Sequence, residues 1–217
     1  HKRERIAFFD RHADLIYALN PDLLRVLPAR ATFLAYASVD PREWHPRFPA
    51  PRELSMPHVI HAPSHRAVKG TAFLLQAVER LRAEKVSFRF SLVENLSHAA
   101  ARKLYEQADL AVDQLLAGFY GAFAVELMAL GKPVVCQLNS ADLQRLPEGM
   151  RRDLPLIDAD PQSIYQVLRD LLTRRKDELP LLGQRSRTFV ERWHDPRDIA
   201  ARLIRDYSAA LAARRAR

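Results

Sequence analysis

Two loops of this 217-residue chain gather the residue types that bind phosphate. The first reads Ala62-Pro63-Ser64-His65-Arg66-Ala67-Val68-Lys69-Gly70-Thr71 and leads directly into a helical apolar repeat. A cation beside a helix N-terminus is mildly unfavourable, because the macrodipole is positive there. Arg66 and Lys69 are accommodated best if they share an anion with the free backbone N–H groups. Phosphate oxygens suit both, since a guanidinium grips two oxygens and an ammonium supplies a compact charge. An exposed basic loop without a ligand is the competing reading.

The second loop runs from Asp113 to Ala122, ahead of a helix predicted over about 124–130. Gly118 and Gly121 allow close backbone approach, and the loop delivers its amides onto a helix N-terminus, which again suits a diphosphate. Glu126 falls in the first turn of that predicted helix. Its carboxylate can accept both hydroxyls of a ribose cis-diol, or it can simply complement the helix dipole. Asp113 and Gln114 either cap the loop or touch a ligand.

Other candidates carry less. His58, His61 and His65 cluster in sequence, but their spacing matches no metal-ligand pattern, and no metal site is expected. Ser64 beside His65 lacks an acidic orienting group. His98, just after a capping serine, is expected on the surface. Cys136 lies inside an apolar run and is expected to be a buried, inert thiol.

The elements that must position these loops follow from hydrophobic periodicity. Residues 1–12 read as a helix, Ala13–Leu19 as a short strand, Asn20-Pro21-Asp22 as the opening of a short helix through Leu27, and Thr32–Ala37 as another strand. Residues 38–56 are proline-rich and aperiodic, which predicts a linker and a domain boundary. From Pro57 onward strands and helices alternate. The predicted strands are Val59–Ala62, Phe88–Val93, Leu110–Val112, Pro133–Leu138 and Leu156-Ile157. The helices between them carry Phe73, Leu74, Ala77, Val78 and Leu81, then Ala100, Ala101, Leu104 and Tyr105, with Ser97 as the N-cap. Helices from about 160, 178 and 196 finish the chain, and Ile199, Leu203, Tyr207 and Leu211 recur at helical intervals along the last one. Short continuous apolar strands alternating with helices predict a parallel sheet covered on both faces. The expected fold is therefore α/β, a doubly wound Rossmann-like domain over 57–195, whose ligands bind at the carboxyl ends of the strands.

The Pro57–Leu138 pattern, with Lys69-Gly70 and the Gly118–Pro133 block, resembles the carboxyl-terminal domain of family 4 retaining glycosyltransferases of the GT-B fold. Ala13–Asp40 resembles the last strand–helix–strand piece of their amino-terminal domain. The resemblance implies three parts: residues 1–56 as a remnant of the acceptor side and its linker, 57–195 as the nucleotide-sugar-binding domain, and 196–217 as a helix crossing back. It implies that Arg66 and Lys69 bind the donor diphosphate and that Glu126, the second glutamate of the Glu-x7-Glu motif, holds the ribose. Amides around Tyr120, Gly121, Ala122 and Phe123 then face phosphate and sugar, and Gly118, Phe119 and Tyr120 form the donor-sugar loop. Gly118 stands where the motif has its first glutamate. This departure leaves open a binding domain that has lost transfer chemistry, and a GT-B nucleotide-sugar epimerase is the other alternative.

Composition bounds the rest. The net charge is +8, and apolar residues make up 48% of the chain, enough for a sizeable core. The arginines are spread along helices without interleaved aromatics, so nucleic acid is not an expected partner. A single cysteine excludes an internal disulfide framework and fits a reducing cytoplasm, with peripheral contact at the inner membrane surface as a further expectation. No cofactor is expected beyond a nucleoside-diphosphate sugar as substrate; the acceptor (saccharide, lipid or small molecule) and the catalytic residues are not identified. The sequence opens without Met or an apolar leader and reads as an excerpt of a bacterial-like, metal-independent enzyme, expected to turn over little alone.

Overall fold

The computed structural model describes residues 1–50 and 55–216; residues 51–54, within the predicted linker, lie outside the described set. The amino-terminal part holds α1 (Lys2–His12), β1 (Tyr17–Ala18), a 3-10 turn at Pro21–Arg25 and β2 (Thr32–Phe33). β1 and β2 pair in parallel, Tyr17 with Thr32 and Ala18 with Phe33. Both strands are shorter than the apolar runs that encode them. Asn20 stands at the N-cap of the 3-10 turn, but its side chain accepts from the Tyr36 hydroxyl instead of capping.

The larger part strings together β3 (His58–His61), α2 (Arg66–Lys69), α3 (Thr71–Ala83), β4 (Arg89–Leu92), α4 (His98–Glu106), β5 (Leu110–Val112) and α5 (Ala122–Ala129). It continues through β6 (Val134–Cys136), α6 (Ser140–Leu143), α7 (Glu148–Asp153), β7 (Ile157–Asp158), α8 (Ile164–Thr173), α9 (Leu179–Trp193) and α10 (Pro196–Arg215). The five strands β3–β7 form one parallel sheet in the order β4-β3-β5-β6-β7. This is a doubly wound α/β sheet, as the strand–helix alternation predicts.

Residue alternation along the strands explains the two layers. Val59, Leu110, Val112 and Val135 point to one face, where they pack with Leu74, Val78 and Leu81 of α3 and Leu168 and Leu171 of α8. Their neighbours Ile60, Ala111, Val134 and Cys136 point to the other face, against α4, α5 and α9. Leu74, Ala77, Val78 and Leu81 follow the i, i+3, i+4, i+7 spacing of one helix stripe, and all are buried. Each buried Leu or Val in such a stripe contributes roughly 1.5–3 kcal/mol.

Phe33, Val39 and Trp44 of the amino-terminal segment join the α4/α5/α9 cluster. Arg187 of α9 fastens the segment further, donating to the carbonyls of Trp44 at 2.5 Å, Pro41 at 2.6 Å and, on α5, Ala129 at 2.6 Å.

Two expectations are corrected. The stretch between β6 and β7, for which the apolar periodicity predicts no helix, carries α6 and α7. In α10 only Ile199 of the predicted stripe is buried, while Tyr207 and Leu211 are 51% and 57% exposed. Residues four apart advance about 40° beyond a full turn, so a stripe spaced strictly by four winds off the contact face within three steps. The helix does return to the amino-terminal segment, but through polar contacts: Tyr17 Oη donates to Asp206 Oδ2 at 2.8 Å, and Arg214 lies 3.7 Å from Asp14.

Candidate functional site

The sheet order places its switch point between β3 and β5, the pair whose connections leave in opposite directions, and ligands of such sheets bind outside the carboxyl ends of the strands there. Both predicted loops lie at that rim. Lys69 closes α2, and Gly70 follows with φ 73°, a left-handed conformation that turns the chain into α3. The turn sends Lys69 inward. Its Nζ donates to Asp113 Oδ1 at 2.5 Å just past β5, with Lys69 only 9% exposed and Asp113 1%.

The other Asp113 oxygen accepts the Gly121 amide at 2.8 Å, so one carboxylate ties the lysine loop to the glycine loop. A Cβ on Gly121 would lie 3.4 Å from Lys69 Nζ, so the bare glycine leaves open the space beside the ammonium. An ammonium has three donors, and the structure commits one of them to Asp113. Gly121 is the N-cap of α5, and no side chain caps that helix. The Ala122 and Phe123 amides in its first turn are therefore donors without an intrahelical acceptor.

Arg66 is not brought to Lys69. It turns outward and grips Glu94, past the end of β4, with Nε 2.7 Å from Oε1 and a second bond from Nη2 to Oε2. That grip holds the Glu94 carboxyl below its ordinary range. The two cations of the first loop thus each meet a separate carboxylate.

Glu126 is the fifth residue of α5, since the helix begins at Ala122, two residues earlier than predicted. It therefore sits a turn deeper, about 7.5 Å along the axis from Gly121, and the helix end does not offset its charge. Burial raises its pKa, opposed by the His98 hydrogen bond and the charges of His98 and Arg102. His98 Nε2 stands 3.0 Å from Glu126 Oε1. Tyr105 lies on the same side of α4, its hydroxyl pushed up to about 12 by burial, with Glu126 adding to the effect.

The sequence predicts His98 on the surface, and its ring is mostly exposed, yet it is a partner of Glu126. The only local signal was Ser97, whose Oγ accepts from the Ala100 amide and fixes His98 as the first residue of α4.

Gly118 adopts φ 70°; its N–H donates to Gln137 Oε1 at 3.1 Å and its carbonyl accepts from Asn139. Phe119 and Tyr120 turn into the core, Phe119 against Phe33. Tyr120 donates to His194 Nε2 at 3.0 Å, while His194 Nδ1 donates to the Tyr36 carbonyl at 2.7 Å. His194, at the α9–α10 junction, thereby links the glycine loop to the amino-terminal segment.

His58 and His61 are buried and bonded. His58 reaches Ser91 Oγ at 2.8 Å; His61 reaches the Val112 carbonyl at 2.7 Å and Thr71 Oγ1 at 2.9 Å. Among the described residues no group of three His, Cys, Asp or Glu side chains is arranged to hold a metal ion. Cys136 is fully buried, and burial pushes its thiol well above its ordinary pKa. A cleft of about 840 Å³ lies elsewhere, between residues 10–17 and α10. The switch-point loops hold the convergent amides and charges.

No protein-family model matches the sequence, and no curated protein matches it. Solved structures do match in fold. Sucrose-phosphate synthase from Thermosynechococcus elongatus aligns over 93% of this chain and 59% of its own, with TM-score 0.66 at 19% identity. Anabaena HepE, solved in complex with UDP-glucose, aligns over 95% of this chain and 67% of its own, with TM-score 0.67 at 14% identity. A glycosyltransferase from Rickettsia africae aligns over 95% and 66%, with TM-score 0.65 at 12% identity. The fold is shared with these proteins, and the chain spans about 59% of the synthase it matches. Among the described residues no helix is long and apolar enough to cross a membrane.

Proposed function

We propose that this chain is the donor-binding part of a glycosyltransferase that takes a nucleoside-diphosphate sugar and transfers the sugar with retention of anomeric configuration. The observation that carries the reading is the junction at the switch point: Lys69, Asp113 and the Gly121 amide meet beside the uncapped start of α5, with Glu126 one turn further on. HepE, similar in fold, is crystallised with UDP-glucose, which supports a ligand of this class.

In this proposal the remaining Lys69 donors and the first amides of α5 bind the diphosphate and stabilise the charge that develops on it as the glycosidic bond breaks. Asp113 sets the position of both groups. Because Lys69 is already paired, the dipoles carry more of the phosphate recognition than the sequence pattern alone implies. Arg66 contributes only after releasing Glu94. Glu126 accepts the ribose hydroxyls, displacing His98. Residues 1–56 are assigned to the acceptor side, 57–195 to the donor domain and 196–217 to the returning helix. The acceptor site and the rest of the catalytic machinery are assigned to sequence outside this chain, so transfer by these residues alone is expected to be slight.

A thermal-shift screen of UDP, GDP, ADP and dTDP, each also as its glucose ester, tests the reading. Ligand at 100 times Kd stabilises by about 2.7 kcal/mol, and Glu126→Ala is expected to abolish the shift. A role as a binding domain without transfer is favoured by Gly118 in place of the motif's first glutamate. A longer form that binds donor but neither transfers nor hydrolyses it establishes that second reading.

A further inference from the structure

A second cleft, of about 790 Å³, opens beside α9 and the segment entering β7. Because Leu154–Leu156 precede β7, it lies toward the amino ends of the strands, away from the switch-point rim. Four arginines from three places converge on it: Arg152 of α7, Arg175 just before α9, and Arg185 and Arg192 of α9. Two carboxylates oppose them. Asp153 takes Arg192 at 2.8 Å and Arg152 at a long 3.9 Å, and Glu178 takes Arg175 at 2.8 Å. Arg185 forms no ion pair among the described residues. Four cations against two anions leave an excess of two positive charges at the rim. The floor differs: Leu154, Leu156, Leu182 and Phe189 are apolar.

We propose that this cleft binds a phosphate monoester carrying an apolar group, the doubly charged head meeting the arginines and the apolar part lying on the leucines. A phosphate dianion matches the charge excess, and guanidinium forks match its oxygen geometry. Inorganic phosphate fills only the rim, and an uncharged alcohol only the floor. Neither alone uses both features.

The test is calorimetric titration of the whole chain with hexyl phosphate, inorganic phosphate and hexanol, with wild type and Arg152→Ala/Arg185→Ala. Both substituted side chains are solvent-exposed, so the fold is retained, and unchanged thermal unfolding of the double variant verifies it. Saturable binding of hexyl phosphate is expected, tighter than that of inorganic phosphate, weakened at least tenfold by the double substitution and weakened again by raising salt from 50 to 300 mM. Equal affinity for hexanol, an unaffected double variant or no saturable binding overturns the proposal. So does retention on phosphatidylglycerol vesicles without binding of the soluble ester, which marks plain surface adsorption. UDP-glucose at the switch-point loops is not expected to compete, so this site stands or falls independently.

Discussion

Lys69 Nζ and Asp113 Oδ1 stand 2.5 Å apart, both residues buried and 44 residues apart in sequence. Asp113 also holds the Gly121 amide, so removing its carboxylate leaves a buried ammonium and an amide without partners. Asp113→Ala is expected to cost about 3–5 kcal/mol, as breaking a buried pair does. Adding Lys69→Met recovers part of the loss, because the second change removes the uncompensated charge. Urea unfolding measures both; a single-variant loss under about 1 kcal/mol contradicts a buried pair.

Gly121→Ala separates fold from ligand. The added methyl meets nothing closer than 3.4 Å, and φ of −111° suits alanine, so stability is expected to change by less than about 1 kcal/mol. The methyl fills the space beside Lys69 Nζ where a phosphate oxygen is proposed to sit. Donor affinity is therefore expected to fall at least tenfold, read by calorimetry against unchanged thermal unfolding.

Glu126→Gln is expected to stabilise the unliganded protein at pH 7. Burial raises the Glu126 pKa, so the folded state favours the protonated acid, and the ionised form costs stability as pH rises through that pKa. The neutral amide removes the cost. The gain is expected to shrink as pH falls toward 4.5 and below, where the wild-type acid is protonated in both states. A melting-temperature series from pH 7 to 4 reads this directly, and a variant uniformly less stable than wild type contradicts it.

His194 titrates in the opposite direction. Burial lowers its pKa from 6.5 to about 4, and the ring is held neutral between Tyr36 and Tyr120. The unfolded chain therefore takes up the proton first, and stability falls as pH drops from 6.5 toward 4, by about 3 kcal/mol from this group. His58 and His61 are shifted down as well, so wild type alone does not isolate it. His194→Gln is expected to lower stability at pH 7 but to flatten the slope between pH 6.5 and 4. Parallel slopes in the two proteins contradict the assignment.

The sheet was legible because its signal is local. β5 appears with the bounds its three apolar residues predict, β4 and β6 fall within the predicted runs, and β3 is shifted by one residue from its run. The loops were legible for the same reason, since Gly70, Gly118 and Gly121 punctuate the chain. What was not legible depends on long-range placement. Nothing near Lys69 encodes its pairing with Asp113, and nothing near His98 encodes Glu126, 28 residues away. The start of α5 differs from the predicted one because its N-cap is Gly121, a weak signal beside Ser, Thr, Asp or Asn. The two-residue difference puts Glu126 away from the helix end, where its charge would be offset, and in a buried position that raises its pKa. The outward turn of Arg66 was equally hidden, because spacing along the chain does not reveal which way a short helix points its side chains.

Calorimetric titration of wild type and Lys69→Ala with the best nucleoside diphosphate from the screen, and with its glucose ester, tests the central claim most directly. The account predicts one saturable site in wild type, weakened at least tenfold in the variant, with folding of the variant confirmed by its unfolding transition. Binding that is undiminished when Lys69 is replaced, or no binding of any of the four diphosphates to wild type, contradicts it.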